Sequence, residues 1–213
     1  MNWISKVSER LAVAARRDNP EMTDEEYETI AFGFYVLISD LIKLVSIMIF
    51  ALILGLFFYT AVMILSFGAI RCFMGGVHAK TWWGCMGACL VLFLGIPGLA
   101  CYFSKAPAWL ISTVTFVVTL VIIHFYAPAD HENKPVINLS RRIWLKKRAY
   151  LVLTLMFVIA GFIVKQPYSN IIMFSALIEA ILILPPVYKL TRNKHGQAYQ
   201  PNSNIESEVG KNG

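Results

Sequence analysis

Residues 31–70, AFGFYVLISDLIKLVSIMIFALILGLFFYTAVMILSFGAI, decide the fold, because they contain only two charged side chains, Asp40 and Lys43. One helix of this length would be about 60 Å long, twice the hydrocarbon thickness that about twenty apolar residues cross. Gly55 interrupts the run, so the sequence predicts two spans rather than one long helix. The stretch therefore indicates an integral membrane protein before any motif is considered.

The composition of the whole chain indicates the same class. Of its 213 residues, 57% are apolar and 15% are charged, whereas soluble domains have about 45–50% and about 25%. In a membrane protein, a formal net charge of +6 indicates cytoplasmic loops that face anionic lipid or an acidic substrate. We therefore expect anionic membrane lipid as a partner and no nucleic acid.

Six apolar runs are long enough, or nearly so, to cross a bilayer. They are residues 31–54, 56–71, 84–103, 108–126, 149–164 and 170–187. We therefore predict an all-α integral membrane protein with about six transmembrane helices and an N-terminal interfacial amphipathic helix.

The two ends of the chain are polar in different ways. Residues 3–17 predict the amphipathic helix, because apolar side chains recur at helical spacing. These side chains are Trp3, Ile4, Val7, Leu11 and Ala14. Thr23 and Glu26 match a capping box at the start of the first membrane helix. We expect an amphipathic segment at 1–22, a membrane domain that carries the candidate site at 23–190, and a disordered cytoplasmic tail at 191–213.

The lysines and arginines predict how the spans are threaded. With the N-terminus inside and six spans, sixteen basic residues fall on the inner side, and only Lys105 and Lys165 fall outside. Because cytoplasmic loops carry an excess of basic residues, we expect a multi-pass protein with both termini in the cytoplasm. The loops at 71–83 and 127–148 then share the cytoplasmic face.

The segment RCFMGGVHAKTWWGC, residues 71–85, contains the pair best suited to covalent chemistry, His78 and Cys85. A cysteine beside a histidine is a common way to form a thiolate near neutral pH. On one unbroken helix the two residues would stand about 10.5 Å apart along the axis, whereas a general base must come within about 3 Å of its proton.

A break in the helix would remove this obstacle. The pair Gly75-Gly76 disfavours a continuous helix, and we expect the chain to turn within residues 79–84. Cys85 would then lie in the first turn of the third span, where unpaired N–H groups favour the thiolate. Arg71 and Lys80 are nearby cations that favour the anion in the same way.

Two other interpretations of this segment are open on spacing alone. Cys85 can be a small apolar helix residue with Cys89 one turn farther on, and His78 an interfacial polar residue. Alternatively, Cys72, His78, Cys85 and Cys89 are suitable zinc ligands, although no second CxxC or HxxxH supports a metal site. We expect neither a metal nor another cofactor, and the four cysteines do not form the pattern of a disulfide framework.

The motif R-x₃-GG-x-HA-x₅-C resembles the accessory gene regulator B (AgrB) family. Here it consists of Arg71, Gly75, Gly76, His78, Ala79 and Cys85. The stretch YAPADHENKP, residues 126–135, resembles a second family signature and precedes a basic cluster. That cluster contains Arg141, Arg142, Lys146, Lys147 and Arg148. The resemblance covers nearly the whole chain.

The resemblance implies a cysteine endopeptidase of the bacterial cell membrane that acts in peptide quorum sensing. Its partner would be an AgrD-type propeptide, which is cleaved and closed into a thiolactone or lactone ring through an acyl-enzyme thioester. By motif position, His78 is the base and Cys85 the nucleophile. The resemblance also suggests that the basic cluster binds an acidic propeptide tail, and it allows a homodimer. The alternative role of the cluster is to anchor the topology and bind anionic lipid.

Several other charged or titratable residues are candidates for function. Arg71 and Lys80 are predicted to contact substrate, and His124 and His131 are weaker base candidates. Asp40, Lys43 and Glu179 lie within spans, where charge is costly. They would form an internal ion pair, line a cavity, or supply a third residue that orients His78. Two alternative functions remain: a small transporter or channel that uses these three charges, or an interaction subunit whose basic loop recruits a partner.

Overall fold

The computed structural model describes residues 2–19, 21–77, 81–129 and 138–191. Predictions about His78, Lys80, His131 and the tail beyond Thr191 therefore lie outside the described residues. The described chain forms helices α1 (Asn2–Asp18), α2 (Asp24–Ile53), α3 (Phe57–Met74), α4 (Trp82–Tyr102), α5 (Ala108–Tyr126), α6 (Leu139–Val158), α7 (Tyr168–Leu182) and α8 (Pro185–Leu190). A 3₁₀ turn continues α4 through Lys105, and a π-helical turn continues α6 through Ile163.

The helices confirm the all-α membrane class. Four of them are long and apolar enough to cross a bilayer, namely Asp24–Ile53, Phe57–Met74, Trp82–Lys105 and Ala108–Tyr126, and α7 is a shorter apolar helix. Large apolar side chains cover the outside of these helices: Phe58 is 73% exposed, Leu65 73% and Val91 72%. Lipid accommodates such a surface, whereas water disfavours it.

The helix boundaries differ from the apolar runs for identifiable reasons. α2 starts at Asp24, ahead of the first apolar run, because the predicted capping box forms. The N–H of Glu26 donates to the Thr23 hydroxyl at 3.2 Å, and the N–H of Thr23 donates to the Glu26 carboxylate at 2.9 Å. Gly55, with φ +68°, separates α2 from α3 as predicted. The last apolar run was predicted to extend to 187, but α7 ends at Leu182 because prolines begin α8.

The first of two compact units, residues 1–55, contains α1 and α2, which pack against each other. One face of α1 is buried through Ile4, Ser8 and Ala12, whereas Trp3, Val7 and Leu11 are exposed. The single apolar stripe predicted for this helix was therefore wrong in one respect, since Ile4 lies on the buried face. The exposed apolar side chains are those that an interfacial helix would place in lipid.

The second unit begins at Leu56 and contains α3 to α8, and consecutive helices from α3 to α7 alternate in direction. At one end, which we call the loop end, Gly75 after α3 forms a β-bridge with Ala129 after α5. At the opposite end, the Asn170 side chain at the start of α7 donates to the carbonyls of Ala100 and Phe103, at 3.4 and 3.3 Å. The loops after α3 and α5 therefore lie at one end of the bundle, as the charge distribution predicted.

Candidate active site

The predicted break between Arg71 and Cys85 is present, and it begins at the glycine pair. The N–H of Gly75 donates to the Arg71 carbonyl at 3.0 Å and ends α3. Gly75 and Gly76 have φ of +74° and +131°, values that side-chain-bearing residues rarely adopt. Of the turn predicted within residues 79–84, the part from Trp82 onward belongs to α4 instead, and residues 79 and 80 lie outside the described residues.

Cys85 lies in the first turn of α4, as predicted. Thr81 caps the helix, because its hydroxyl accepts the N–H of Gly84 at 3.1 Å. The N–H of Cys85 donates to the Thr81 carbonyl at 2.9 Å and closes the first helical turn. The side chain of Cys85 is partly buried. A sulfur atom at this end of a helix is near the positive end of the helix dipole, which favours an anion.

The loop after α3 is fixed to the loop after α5 by backbone hydrogen bonds. The N–H of Ala129 donates to the Met74 carbonyl at 2.8 Å, and the N–H of Gly76 donates to the Ala129 carbonyl at 3.1 Å. Val77, Ala127 and Ala129 are buried in the main apolar core. The described starts of the two sequence motifs, residues 71–77 and 126–129, are therefore joined at the loop end.

A buried ion pair between α3 and α7 is hydrogen-bonded to the same loop. Nη1 of Arg71 donates to both carboxylate oxygens of Glu179, at 3.1 and 2.9 Å, and Nη2 donates to the Val77 carbonyl at 2.7 Å. The Glu179 side chain is 0% exposed and that of Arg71 is 21% exposed. Removing one partner of a buried pair costs about 3–5 kcal/mol, because the other charge is left without compensation. Arg71, predicted to contact substrate, thus binds two groups of the protein itself.

The basic cluster on α6 divides into two sets. Arg142 donates to the Pro128 carbonyl at 3.5 Å, and the ammonium group of Lys146 donates to the carbonyl of His124. Burial lowers the pKa of Lys146, and the charge of Arg142 lowers it further. The other set is exposed and consists of Arg141, Lys147 and Arg148. The guanidinium of Arg148 stacks over the ring of Trp144, with its carbon 4.8 Å from the ring centroid.

The model of the accessory gene regulator B family matches residues 6–183. The chain belongs to the AgrB family. It is 28% identical over 186 residues to an accessory gene regulator protein B of Staphylococcus aureus strain Newman, covering 87% of this chain and 95% of that protein. It is 29% identical over 199 residues to an AgrB-like protein of Listeria monocytogenes serotype 4a strain HCC23. This match covers 91% of this chain and 96% of that protein. No solved structure matches.

Sequence reasoning about this AgrB-family chain missed the partner of Glu179. Asp40 and Lys43 form the predicted ion pair within α2, at 2.7 Å. Glu179 instead pairs with Arg71, 108 residues away. The available signal was one acidic residue in the last span and one arginine at the end of an earlier span, on the same predicted face. His124, the weaker base candidate, has its Nδ1 3.1 Å from the Tyr150 hydroxyl.

The structure also bears on the zinc interpretation and on substrate cavities. Within the described ranges, no three His, Cys, Asp or Glu side chains are grouped so as to hold a metal. None of the four cysteines, all of which are described, is disulfide-bonded. An apolar cleft of about 410 Å³ lies between α4, α5 and α7, toward the end opposite the loops. It is lined mainly by apolar side chains such as Leu99, Phe103 and Leu110, together with Thr115, whose hydroxyl donates to the Ile111 carbonyl.

Proposed function

We propose that this AgrB-family protein is a membrane cysteine endopeptidase that cleaves and cyclises an AgrD-type propeptide. The observation that carries the proposal is the position of Cys85, in the first turn of a capped helix. In the sequence, His78 of the family motif lies between the loop after α3 and this helix. Family membership supports a role in processing the peptide of accessory gene regulator quorum sensing.

The proposed reaction has two steps, and its atoms balance. His78 takes the proton from Sγ of Cys85, and the thiolate attacks the scissile carbonyl. The peptide C–N bond breaks, the tail leaves as an amine with the proton from His78, and an acyl-enzyme thioester remains. A thiol or hydroxyl of the peptide then attacks this thioester, closes the ring and returns the thiol of Cys85. Exchange of one thioester for another is nearly energy-neutral, so the second step to a thiolactone needs no ATP.

Exclusion of water favours cyclisation over hydrolysis of the thioester. The loop end supports such exclusion, because Val77, Ala127 and Ala129 are buried and pack with Ile183 and Tyr188. This apolar layer would close the site on the side that faces the core of the bundle. The thioester would then be more accessible to the bound peptide than to bulk water.

We further propose that the loop end and both termini face the cytoplasm of a bacterial cell. The support is the excess of basic residues on this side of the predicted threading. Reporter fusions in the 127–148 loop should report the cytoplasm, and fusions at Lys105 and Lys165 should report the outside. An external 127–148 loop would contradict this orientation and the placement of the site.

The exposed set of basic residues is proposed to bind the acidic tail of the propeptide, while Arg142 contacts the loop after α5 and Lys146 contacts the last turn of α5. Exposed charge contacts contribute about 0.2–1 kcal/mol each and are screened by salt. Arg141→Gln/Lys147→Gln should therefore raise KM a few-fold, with kcat nearly unchanged, because binding is lost equally from ground and transition states. Added salt should have the same effect on the unaltered enzyme.

The matched control is Arg142→Gln/Lys146→Gln, which removes the same charge from the same helix. It should lower kcat and the melting temperature, because two backbone carbonyls lose their donors, while the salt dependence of KM remains. Correct insertion of both variants is checked with the reporter fusions. Equal KM effects from the two pairs would show that the cluster acts only through its total charge.

Co-expression with an AgrD-type propeptide, followed by mass spectrometry, tests the proposed function. We expect a released C-terminal tail and a ring product one water molecule lighter than the corresponding linear fragment. An uncut propeptide would contradict the peptidase assignment. If only a linear fragment formed, the proposed proteolysis would be supported and the proposed cyclisation would be contradicted.

A further inference from the structure

We infer that Glu179 is a positioning residue for the proposed peptidase and that it acts through Arg71 on the backbone leading into His78. The inference rests on the function proposed above. It assigns a role to a buried acid that takes no part in the proposed chemical steps. It also assigns Arg71 to the support of the loop rather than to contact with substrate.

The contacts form a continuous path from α7 to the loop. Both carboxylate oxygens of Glu179 accept hydrogen bonds from Nη1 of Arg71, at 3.1 and 2.9 Å. This interaction anchors one end of the guanidinium, and its other nitrogen, Nη2, donates to the Val77 carbonyl, 2.7 Å away. Val77 directly precedes His78 in the chain. The orientation of one peptide group beside the proposed base therefore depends on a carboxylate 108 residues from Arg71.

The packing around Gly76 shows that the loop and the ion pair fit closely together. A Cβ on Gly76 would lie 3.0 Å from Nη1 of Arg71 and 3.2 Å from a carboxylate oxygen of Glu179. Its φ of +131° would also be strained in any other residue. The ring of Phe67 supports the guanidinium from within α3, with the Arg71 Cζ atom 5.5 Å from the ring centroid. The loop backbone thus rests directly on the pair.

Removing both charges distinguishes two roles for the ion pair of Arg71 and Glu179, stabilisation of the bundle alone or positioning of the loop. Replacing both members of a buried pair with apolar residues is often neutral or stabilising, because no charge remains without a partner. A purely structural pair would therefore be dispensable for catalysis in such a double variant. A positioning pair would still be needed for catalysis, since the double variant lacks the donor to the Val77 carbonyl.

The experiment compares purified Arg71→Met/Glu179→Leu with Arg71→Lys, and measures kcat, KM and thermal stability with an AgrD-type propeptide. The double variant should melt near the wild-type temperature, yet its kcat should fall by about 100-fold, the lower range of general-base contributions. In Arg71→Lys, the charge of Glu179 keeps a partner, but one ammonium group cannot reproduce the planar fork of donors. Its kcat should fall about tenfold or more, a partial loss compared with the roughly 10²–10⁴-fold that general acid–base catalysis contributes in full. KM should remain within about threefold in both variants, because uniform binding is not removed.

The matched control is Asp40→Asn, which neutralises another carboxylate of an apolar helix, one that pairs with Lys43 and is 63% exposed. Its kcat should equal that of the wild type. A double variant, or Arg71→Lys, with wild-type kcat would overturn the inference, as would a rise in KM at constant kcat. Cys85→Ala is measured in parallel: if it still cleaves, the proposed function fails, whereas if it is inactive and Arg71→Lys is fully active, only the present inference fails.

Discussion

Under the proposed function, Cys85→Ala is expected to abolish propeptide cleavage, with a loss on the order of 10⁴-fold or more, the size found when a catalytic nucleophile is removed. Cys85 is the cysteine in the first turn of α4, beside the segment that contains His78. An alanine there retains the helix, so the protein should still insert and fold. Cleavage of the propeptide by purified, reconstituted enzyme is the measurement.

The chain itself offers the controls for this variant. Cys89 lies one turn farther along α4, Cys72 lies in the last turn of α3, and Cys101 lies at the far end of α4. Alanine at each of these three positions should leave cleavage near the wild-type rate. His78→Ala should be inactive like Cys85→Ala. Activity that requires two or more cysteines and is lost on chelation would favour the zinc interpretation instead.

Gly75→Ala is expected to lower kcat by about 100-fold while leaving insertion intact. A Cβ at this position would collide with the carbonyl oxygen of Ala129, and the φ of +74° is unfavourable for alanine. Such backbone strain costs about 1–3 kcal/mol, and each lost hydrogen bond to the loop after α5 costs about 1 kcal/mol more. Since about 1.4 kcal/mol corresponds to a factor of ten, the loop would leave the position seen in the structure most of the time, and the proposed activity would fall with it. Steady-state cleavage kinetics measure the effect.

Gly68→Ala is the matched control, because Gly68 lies in the same helix and an added Cβ there meets nothing within 4 Å. Alanine inside a helix is favoured over glycine by about 1 kcal/mol in intrinsic propensity. This variant should therefore be fully active and at least as stable as the wild type. Equal losses in the two glycine variants would show that the close approach of Gly75 to Ala129 has no special importance.

Features that depend on local sequence were predicted correctly. The interruption at Gly55, the capping box at Thr23 and the helix break at Gly75-Gly76 depend on neighbours a few residues apart. The shared end of the two loops followed from the distribution of basic residues along the chain. These features depend on the conformational freedom of glycine, on hydrogen bonds between near neighbours and on the preference of basic residues for the cytoplasmic side. All three can be inferred from the residues of a single sequence.

Features that depend on the packing of distant helices were missed or misplaced. The partner of Glu179 is an arginine far away in sequence, and an arginine in a family motif was more readily interpreted as a substrate contact. The basic cluster was treated as one surface, because sequence spacing does not show that Arg142 and Lys146 face the carbonyls of Pro128 and His124. These side chains acquire their roles only when α6 packs beside the end of α5 and the loop that follows it.

Trapping the acyl-enzyme intermediate tests the central claim most directly. The purified protein is mixed with an AgrD-type propeptide in which the ring-closing cysteine or serine is replaced by alanine, quenched in acid, digested and examined by mass spectrometry. The account predicts a thioester between the N-terminal part of the propeptide and the peptide fragment that contains Cys85, sensitive to hydroxylamine and absent from Cys85→Ala. An acyl group on another residue, or cleavage of the propeptide at the wild-type rate without any protein-bound intermediate, would contradict it.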